Sequence, residues 1–375
     1  MQFNSFFMGG FECADHINRS GERINLVRET EHDIRIEEDY ALLHAMGIKV
    51  VREGVCWSHV ETTPYQFNFD TLIPHFRVAK ELGLQIIWDM CHFGYPDGLI
   101  PNHPQFCERF MALCEAFAKF HADRSNDVLM VVPVNEISFL SWHSGDVRGT
   151  VPFAVNSGDD IKYHLCKAAI QGSKAFKNQS PNCVIFAVEP LIRIHAADDT
   201  ISHEALENIN SNQFKAMDAL IGQALHELGG SRDLVDILGF NYYYNNQWDH
   251  KNGRIHWPES KRKQIPFSQM LLEAYQRYQK PVVLTETGHF GHGREQFIDH
   301  ITEECIQART LGVDLRGICI YPVIDRPDWD NLYDYSNCGI WDLNINKERV
   351  PHIPSLKSCL NGIRRMKLYE GASSQ

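Results

Sequence analysis

Pro281-Val-Val-Leu-Thr-Glu286-Thr-Gly288 opens the stretch that decides the fold. Its first five residues are apolar or β-branched, the mark of a strand buried on both faces, and the run ends on a carboxylate. Ile298, Ile301, Cys305 and Ala308 follow at spacings of three and four, which place them on one helical face. Gly312 stops that helix, and Arg316-Gly-Ile-Cys-Ile-Tyr321 supplies the next strand. Strand, crossover helix and strand make one unit of a parallel sheet.

The same rhythm runs back to the N-terminus. Strands are predicted over 6–10, 48–52, 84–90, 128–135, 183–189, 235–241, 281–286 and 316–321, and Gly47 and Gly83 sit between helix and strand as Gly312 does. Phe214, Met217, Ile221, Leu225 and Leu228 predict one amphipathic helix before the sixth strand. No GxGxxG turn follows the first strand, so a dinucleotide-binding sheet loses its main support. Eight such units predict an α/β chain folded as one (β/α)8 TIM barrel over 1–370, with 371–375 as a disordered tail. The connections 137–159, 190–211 and 242–267 are long and belong on the C-terminal face, where barrel enzymes keep their sites. Lys261, Arg262 and Lys263 read as a solvated loop.

Composition narrows the function. Hydrophobic residues at 43% leave ample material for a core, and a net charge of −12 disfavours nucleic acid or an anionic membrane as the main partner. A small neutral molecule fits better. The first ten residues have neither a basic start nor a sustained apolar run, and no apolar stretch approaches the roughly 18 residues of a membrane helix. Eleven cysteines without a CxxC pair read as reduced thiols, so a cytoplasmic chain is expected. Nineteen histidines include no HExxH, and neither a metal nor a cofactor is expected.

Polar strand ends carry the chemistry. The fourth strand ends on Asn135-Glu136 and the seventh on Glu286, which puts two carboxylates across the barrel mouth, and Arg52 ends the second strand. A pair of carboxylates is the minimum equipment for cleaving a glycosidic bond, although a lone strand-end glutamate more often caps its own strand.

With these residues in place the chain resembles clan A glycoside hydrolases, and family 1, the β-glucosidase family, most of all. Phe7-Met-Gly-Gly-Phe-Glu-Cys-Ala-Asp-His16 resembles the opening FLWGxATxxxQ, with His16 in place of the sugar-binding glutamine. Arg52-Glu-Gly-Val-Cys-Trp57 resembles RFSxxW, and His92 is similar to the histidine of HWDxP. Asn135-Glu136 matches the start of NEP, with Ile137 replacing proline, and Asn241-Tyr-Tyr243 is similar to the end of GxNYY. Thr285-Glu286-Thr-Gly288 resembles TENG, and Asp325-Arg-Pro-Asp328-Trp329 resembles DNFEW. Dipeptides such as NE are weak alone, whereas seven motifs in family order are specific.

The resemblance implies a retaining, exo-acting β-glycosidase with Glu286 as nucleophile and Glu136 as acid/base, assisted by Arg52, Asn135 and Tyr243. It implies sugar contacts from His16, His92, Asp328 and Trp329, and from Tyr321, whose bond to Pro322 is expected to be cis with the ring as sugar platform. Trp142, with His143, His195, Trp248, Trp257, His289 and His292, is a candidate for the leaving-group side. Glu189, at the end of the fifth strand, has no counterpart and is either structural or a substrate contact. The chain also looks short for the family, which suggests trimmed outer walls. A transglycosidase, a clan-related endo-glycanase and a non-catalytic carbohydrate-binding protein are the alternatives. The last has no reason to keep both glutamates.

Overall fold

The computed structural model describes residues 3–258 and 264–373. Eight parallel strands close into a barrel: β1 (Phe7–Gly10), β2 (Val50–Gly54), β3 (Gln85–Asp89), β4 (Met130–Val132), β5 (Val184–Pro190), β6 (Ile237–Asn241), β7 (Val282–Thr287) and β8 (Leu315–Ile320). Each pairs with its sequence neighbours, and β1 closes the ring by pairing Phe7 with Ile318 of β8 and Gly9 with Val51 of β2. The predicted (β/α)8 architecture is therefore the observed one, with every predicted strand in place.

Strand alternation divides the apolar residues into two layers. Met8, Val50, Ile87, Met130, Val132, Phe186, Val188, Ile237, Val283, Cys319 and Tyr321 fill the barrel interior. Side chains of opposite parity, such as Val51, Ile86, Val131 and Leu284, pack outward against the helices. Helix Arg294–Thr310 buries Ile298, Ile301, Cys305 and Ala308, the face anticipated from their spacing. Gly83 and Gly312 both adopt positive φ at helix ends, a conformation that costs a residue with a Cβ about 1–2 kcal/mol.

Four expectations need correction. β4 is three residues long instead of eight, because Pro133 has no N–H for the ladder, and pairing resumes only as a bridge between Asn135 and Val188. The helix anticipated from Phe214 to Leu228 stops at Leu220: Gly222 takes φ +79° and Leu225 φ +46°, and the chain turns there. The long connections, read from the sequence only as connections, carry secondary structure within their described residues. One contains helix Ile137–Gly145, and the other two contribute strands Arg193–His195, Gln247–Asp249 and Gly253–Ile255 to one small sheet. Finally, helix Ile353–Ser373 continues through Gly371, Ala372 and Ser373, which were expected in the disordered tail, because the backbone there carries on the helix packed against Arg294–Thr310. Residues 374 and 375, like the basic cluster Lys261, Arg262 and Lys263, lie outside the described residues. Among the described residues no helix is long and apolar enough to cross a membrane.

Candidate active site

The C-terminal ends of β2, β3, β4, β6 and β7 deliver one connected cluster of polar side chains, organised by Arg52. Its guanidinium is 1% exposed. Nη1 donates to Glu286 Oε1 at 2.8 Å and to the Thr285 carbonyl at 2.9 Å. Nη2 donates to Asn135 Oδ1 at 2.8 Å and to Asp89 Oδ1 at 3.0 Å, while Nε lies 2.9 Å from Asp89 Oδ2. A buried guanidinium needs this much compensation, because two desolvated carboxylates and two further acceptors replace its lost hydration.

The two glutamates have unlike surroundings. Glu286 Oε2 accepts from the Tyr243 hydroxyl at 2.8 Å and Oε1 from Arg52, so each oxygen of this carboxylate meets a donor. Burial, followed by the Glu286 charge, holds the Tyr243 phenol well above its ordinary pKa, so it remains a donor. Glu136 follows β4 in the left-handed conformation, φ 47° and ψ 60°, immediately ahead of helix Ile137–Gly145. Its Oε1 accepts from Asn241 Nδ2 at 2.8 Å, and Asn241 is itself held by a 2.7 Å hydrogen bond from Thr285 Oγ1 to its Oδ1. Burial and the nearby Glu286 charge push Glu136 well above the ordinary carboxylate range, which the Asn241 hydrogen bond only partly offsets.

Asn135 shows how the network aims a group outward. Its Oδ1 accepts from both Arg52 and Asn241, so its amide nitrogen is turned away from them, buried and without a partner. A second set of unpartnered atoms belongs to His16, both of whose ring nitrogens lack a hydrogen bond, and to Trp329 Nε1. The His16 and Trp329 rings lie 4.7 Å apart, with Phe93, Phe139 and His143 around them. Burial, then the neighbouring His143, pushes His16 down to about 3, so the imidazole is neutral near pH 7.

Other residues singled out from the sequence are placed as follows. His92 is brought in: Nδ1 donates to Asp89 Oδ2 at 3.2 Å, and the ring stacks on Tyr321 with centroids 5.7 Å apart. Burial opposes a charge on His92, but the hydrogen bond and charge of Asp89 prevail and raise its pKa. The Tyr321–Pro322 bond is cis, and the Tyr321 ring is 2% exposed, packed in the barrel interior beneath Arg52 with its hydroxyl 3.3 Å from His92 Nε2. Asp328 is exposed, and its Oδ1 accepts from the backbone of Asp330 and Asn331, so it closes its own turn. Glu189 receives the Ser138 N–H on both oxygens at 3.2 Å, which makes it the cap of the helix that follows Glu136. Burial outweighs that bond and lifts Glu189 to about 7.

Trp142 is 44% exposed beside Phe139 and His143. Trp257 and His289 pack on each other and on Phe297, while His195 bonds Gln247 at 2.8 Å within the small sheet. Trp248 lies in that sheet too, and His292 is exposed in the short turn Gly291–Gly293.

Asp89, Glu12 and Arg326 escaped the sequence reading. Asp89 ends β3 as Arg52 ends the predicted strand 48–52, so attention to every polar strand end would have found it. Glu12 lies 3.2 Å from Arg326 Nε and 3.7 Å from His92 Nε2, a pairing between distant segments that no local pattern announces. A concavity of about 640 Å³ opens at the opposite end of the barrel, near Phe7, Lys49 and Leu315, and contains none of the groups above. The buried donors and acids converge instead at the C-terminal ends of the strands.

No family model matches the chain. Over 91 residues it is 31% identical to the 6-phospho-beta-glucosidase AscB of Escherichia coli (strain K12), a stretch covering 23% of this chain and only 19% of that relative. A family 1 β-glucosidase from Thermotoga maritima superposes with a TM-score of 0.75 at 15% identity, covering 97% of this chain and 99% of that one. The β-glucosidase of the same organism in complex with glucoimidazole gives a TM-score of 0.76 at 15% identity, over 96% and 99% of the two chains. Almost from end to end, then, the chain shares the (β/α)8 fold of these glucosidases.

Proposed function

We propose that the chain is a member of glycoside hydrolase family 1, a single catalytic domain that removes the terminal sugar of a β-glycoside with retention. The observation that carries this reading is the unequal environment of Glu136 and Glu286. A double displacement needs a nucleophile and a protonated acid: Arg52 and Tyr243 donate to Glu286, whereas burial and the Glu286 charge keep a proton on Glu136. Glu286, met by Arg52 and Tyr243, attacks the anomeric carbon while Glu136 delivers its proton to the departing glycosidic oxygen. Because Glu136 Oε1 already accepts from Asn241, the transferable proton belongs on Oε2. Glu136, now a carboxylate, then takes a proton from water as that water attacks the same carbon and releases Glu286.

The unpartnered amide of Asn135 suits the sugar 2-hydroxyl, where hydrogen bonds strengthen as oxocarbenium character develops. His16, neutral and unpartnered, and the Trp329 ring and N–H suit the face and outer hydroxyls of the ring. Arg326, the cation beside Trp329, is already 3.2 Å from Glu12, which favours a neutral sugar over the phosphorylated one named for the E. coli relative. All eleven cysteines are unpaired, which supports a reducing, cytoplasmic setting.

The test is Glu286→Ala and Glu136→Ala against aryl β-glycosides, with the product anomer followed by NMR. Both variants should lose hydrolysis of an unactivated substrate, and Glu136→Ala should keep more activity on a good leaving group that needs no proton. Full activity in either variant, or an inverted first product, would refute the assignment.

A further inference from the structure

Side chains on β2 alternate between the barrel interior and the layer outside it, so Glu53 leaves the strand on the side opposite Arg52. There it meets two histidines from separate segments. His32 Nε2 is 3.1 Å from Glu53 Oε1, and His75 Nε2 is 3.8 Å from Glu53 Oε2. One ligand atom from each of the three lies within 4.8 Å of the other two, and all three side chains are at least nine-tenths buried. Four ligands around zinc, each about 2.1 Å away, stand about 3.4 Å from one another, so these separations bracket the edge of a tetrahedral site.

The surroundings supply the outer partners that metal ligands need. His32 Nδ1 donates to Asp39 Oδ2 at 2.7 Å, and Asp39 is gripped by Arg349 through Nε at 2.6 Å and Nη2 at 2.7 Å. That carboxylate fixes the His32 tautomer with Nε2 toward Glu53, the outer partner that metal-bound histidines almost always have. The Tyr40 hydroxyl donates to Glu53 Oε1 at 2.8 Å and orients the carboxylate. His75 Nδ1 is buried and makes no close hydrogen bond, its polar neighbour being the Leu72 backbone. A cavity of about 50 Å³, lined by Glu53 and His75 with Asp33, Cys56 and His59, adjoins the group and has room for a water as fourth ligand.

We propose that His32, Glu53 and His75 bind one divalent cation of the zinc class at a structural site tying the segment before the first barrel helix, β2 and helix Ile73–Leu82 together behind Arg52. Binding places the metal between His32 Nε2 and Glu53, and any proton held on Nε2 leaves to solvent. The other grouping of this kind, Cys13, Asp89 and His92, is disfavoured because Arg52 already pairs with both oxygens of Asp89. A proton on His32 satisfies Glu53 as well as a metal does, and experiment separates the two occupants.

The full-length chain is stripped with a chelator, titrated with Co²⁺ or Zn²⁺ and desalted, and its metal content is measured. One Zn²⁺ should be retained per chain, Co²⁺ should show the ligand-field absorption of a site with fewer than six ligands, and Zn²⁺ should raise the melting temperature. His75→Gln, which removes a ligand without disturbing Asp39 or Arg349, should weaken binding by more than the roughly 10- to 100-fold that loss of an outer partner costs. It should also abolish the thermal shift. Failure of the wild type to retain Zn²⁺, or equal retention by His75→Gln, overturns the proposal. Loss of binding on Cys13→Ser with His75→Gln unaffected overturns it too, by moving the metal to the other group.

Discussion

Replacing Glu189 by glutamine separates burial from capping, and the structure sets the size of the effect. Glu189 is 3% exposed, and its group is lifted to about 7, chiefly by burial. In the unfolded chain it titrates near its ordinary value of 4.5. The folded state therefore binds this proton more tightly. Its contribution to stability is fully present below about pH 4.5 and is lost as pH rises through about 7. Integrating between those values at about 1.4 kcal/mol per unit, the wild type gives up about 2.5 kcal/mol between pH 5 and pH 8 that a neutral glutamine does not. The glutamine side chain would still accept the Ser138 N–H, so the helix cap survives.

Urea unfolding followed by tryptophan fluorescence at the two pH values reads the difference directly. Glu189→Gln should match the wild type within about 1 kcal/mol near pH 5 and exceed it by about 3 kcal/mol near pH 8. There is a second readout at the site. The Glu189 charge is one of the influences raising Glu136, so its removal should move the alkaline limb of the hydrolysis profile to lower pH. A stability difference that does not change with pH would refute the burial argument, and an unmoved alkaline limb would refute the coupling to Glu136.

Tyr243→Phe removes one donor from Glu286 while keeping the ring. A hydrogen bond to a charged group is worth about 1.5–3 kcal/mol, so kcat/KM on an aryl glycoside should fall about 10- to 150-fold with the melting temperature little changed. A loss below about threefold would detach Tyr243 from the proposed nucleophile. Asp89→Asn leaves Arg52 short of a charge in a dry site, and breaking such a pair costs about 3–5 kcal/mol. Calorimetry should show that destabilisation, and an unchanged unfolding transition would mean that Asp89 does not hold Arg52.

Much of the fold was legible because barrel strands are buried on both faces, so they read as short apolar runs whatever surrounds them. The misread elements are those where a single residue outweighs a pattern: Pro133 just past β4, and Gly222 just past the helix that stops at Leu220. At the site, Arg52, Asn135, Glu136 and Glu286 stood out because a polar residue ending an apolar strand has no packing reason to be there. Asp89 obeys the same rule. Glu12 with Arg326, and His32 with Glu53 and His75, are contacts between remote segments, and a linear reading has no period with which to detect them. Asp328, a sugar contact by its motif position, also has Oδ1 accepting from the N–H groups just beyond it, a local turn that the motif does not announce.

Both terminal nitrogens of Arg52 donate to neighbours and its Nε lies 2.9 Å from Asp89 Oδ2; those neighbours, Glu286, Asn135, Asp89 and the Thr285 carbonyl, come from β3, β7 and the residues just past β4. Substitutions within this set cannot act independently, because each changes what the guanidinium offers the rest. Over evolutionary time the group should be inherited or lost as a block. On the proposed reading, a descendant that drifts to a new sugar is free to vary His16, Trp329 and Glu12, while the first change at Arg52 would relax selection on all its partners together.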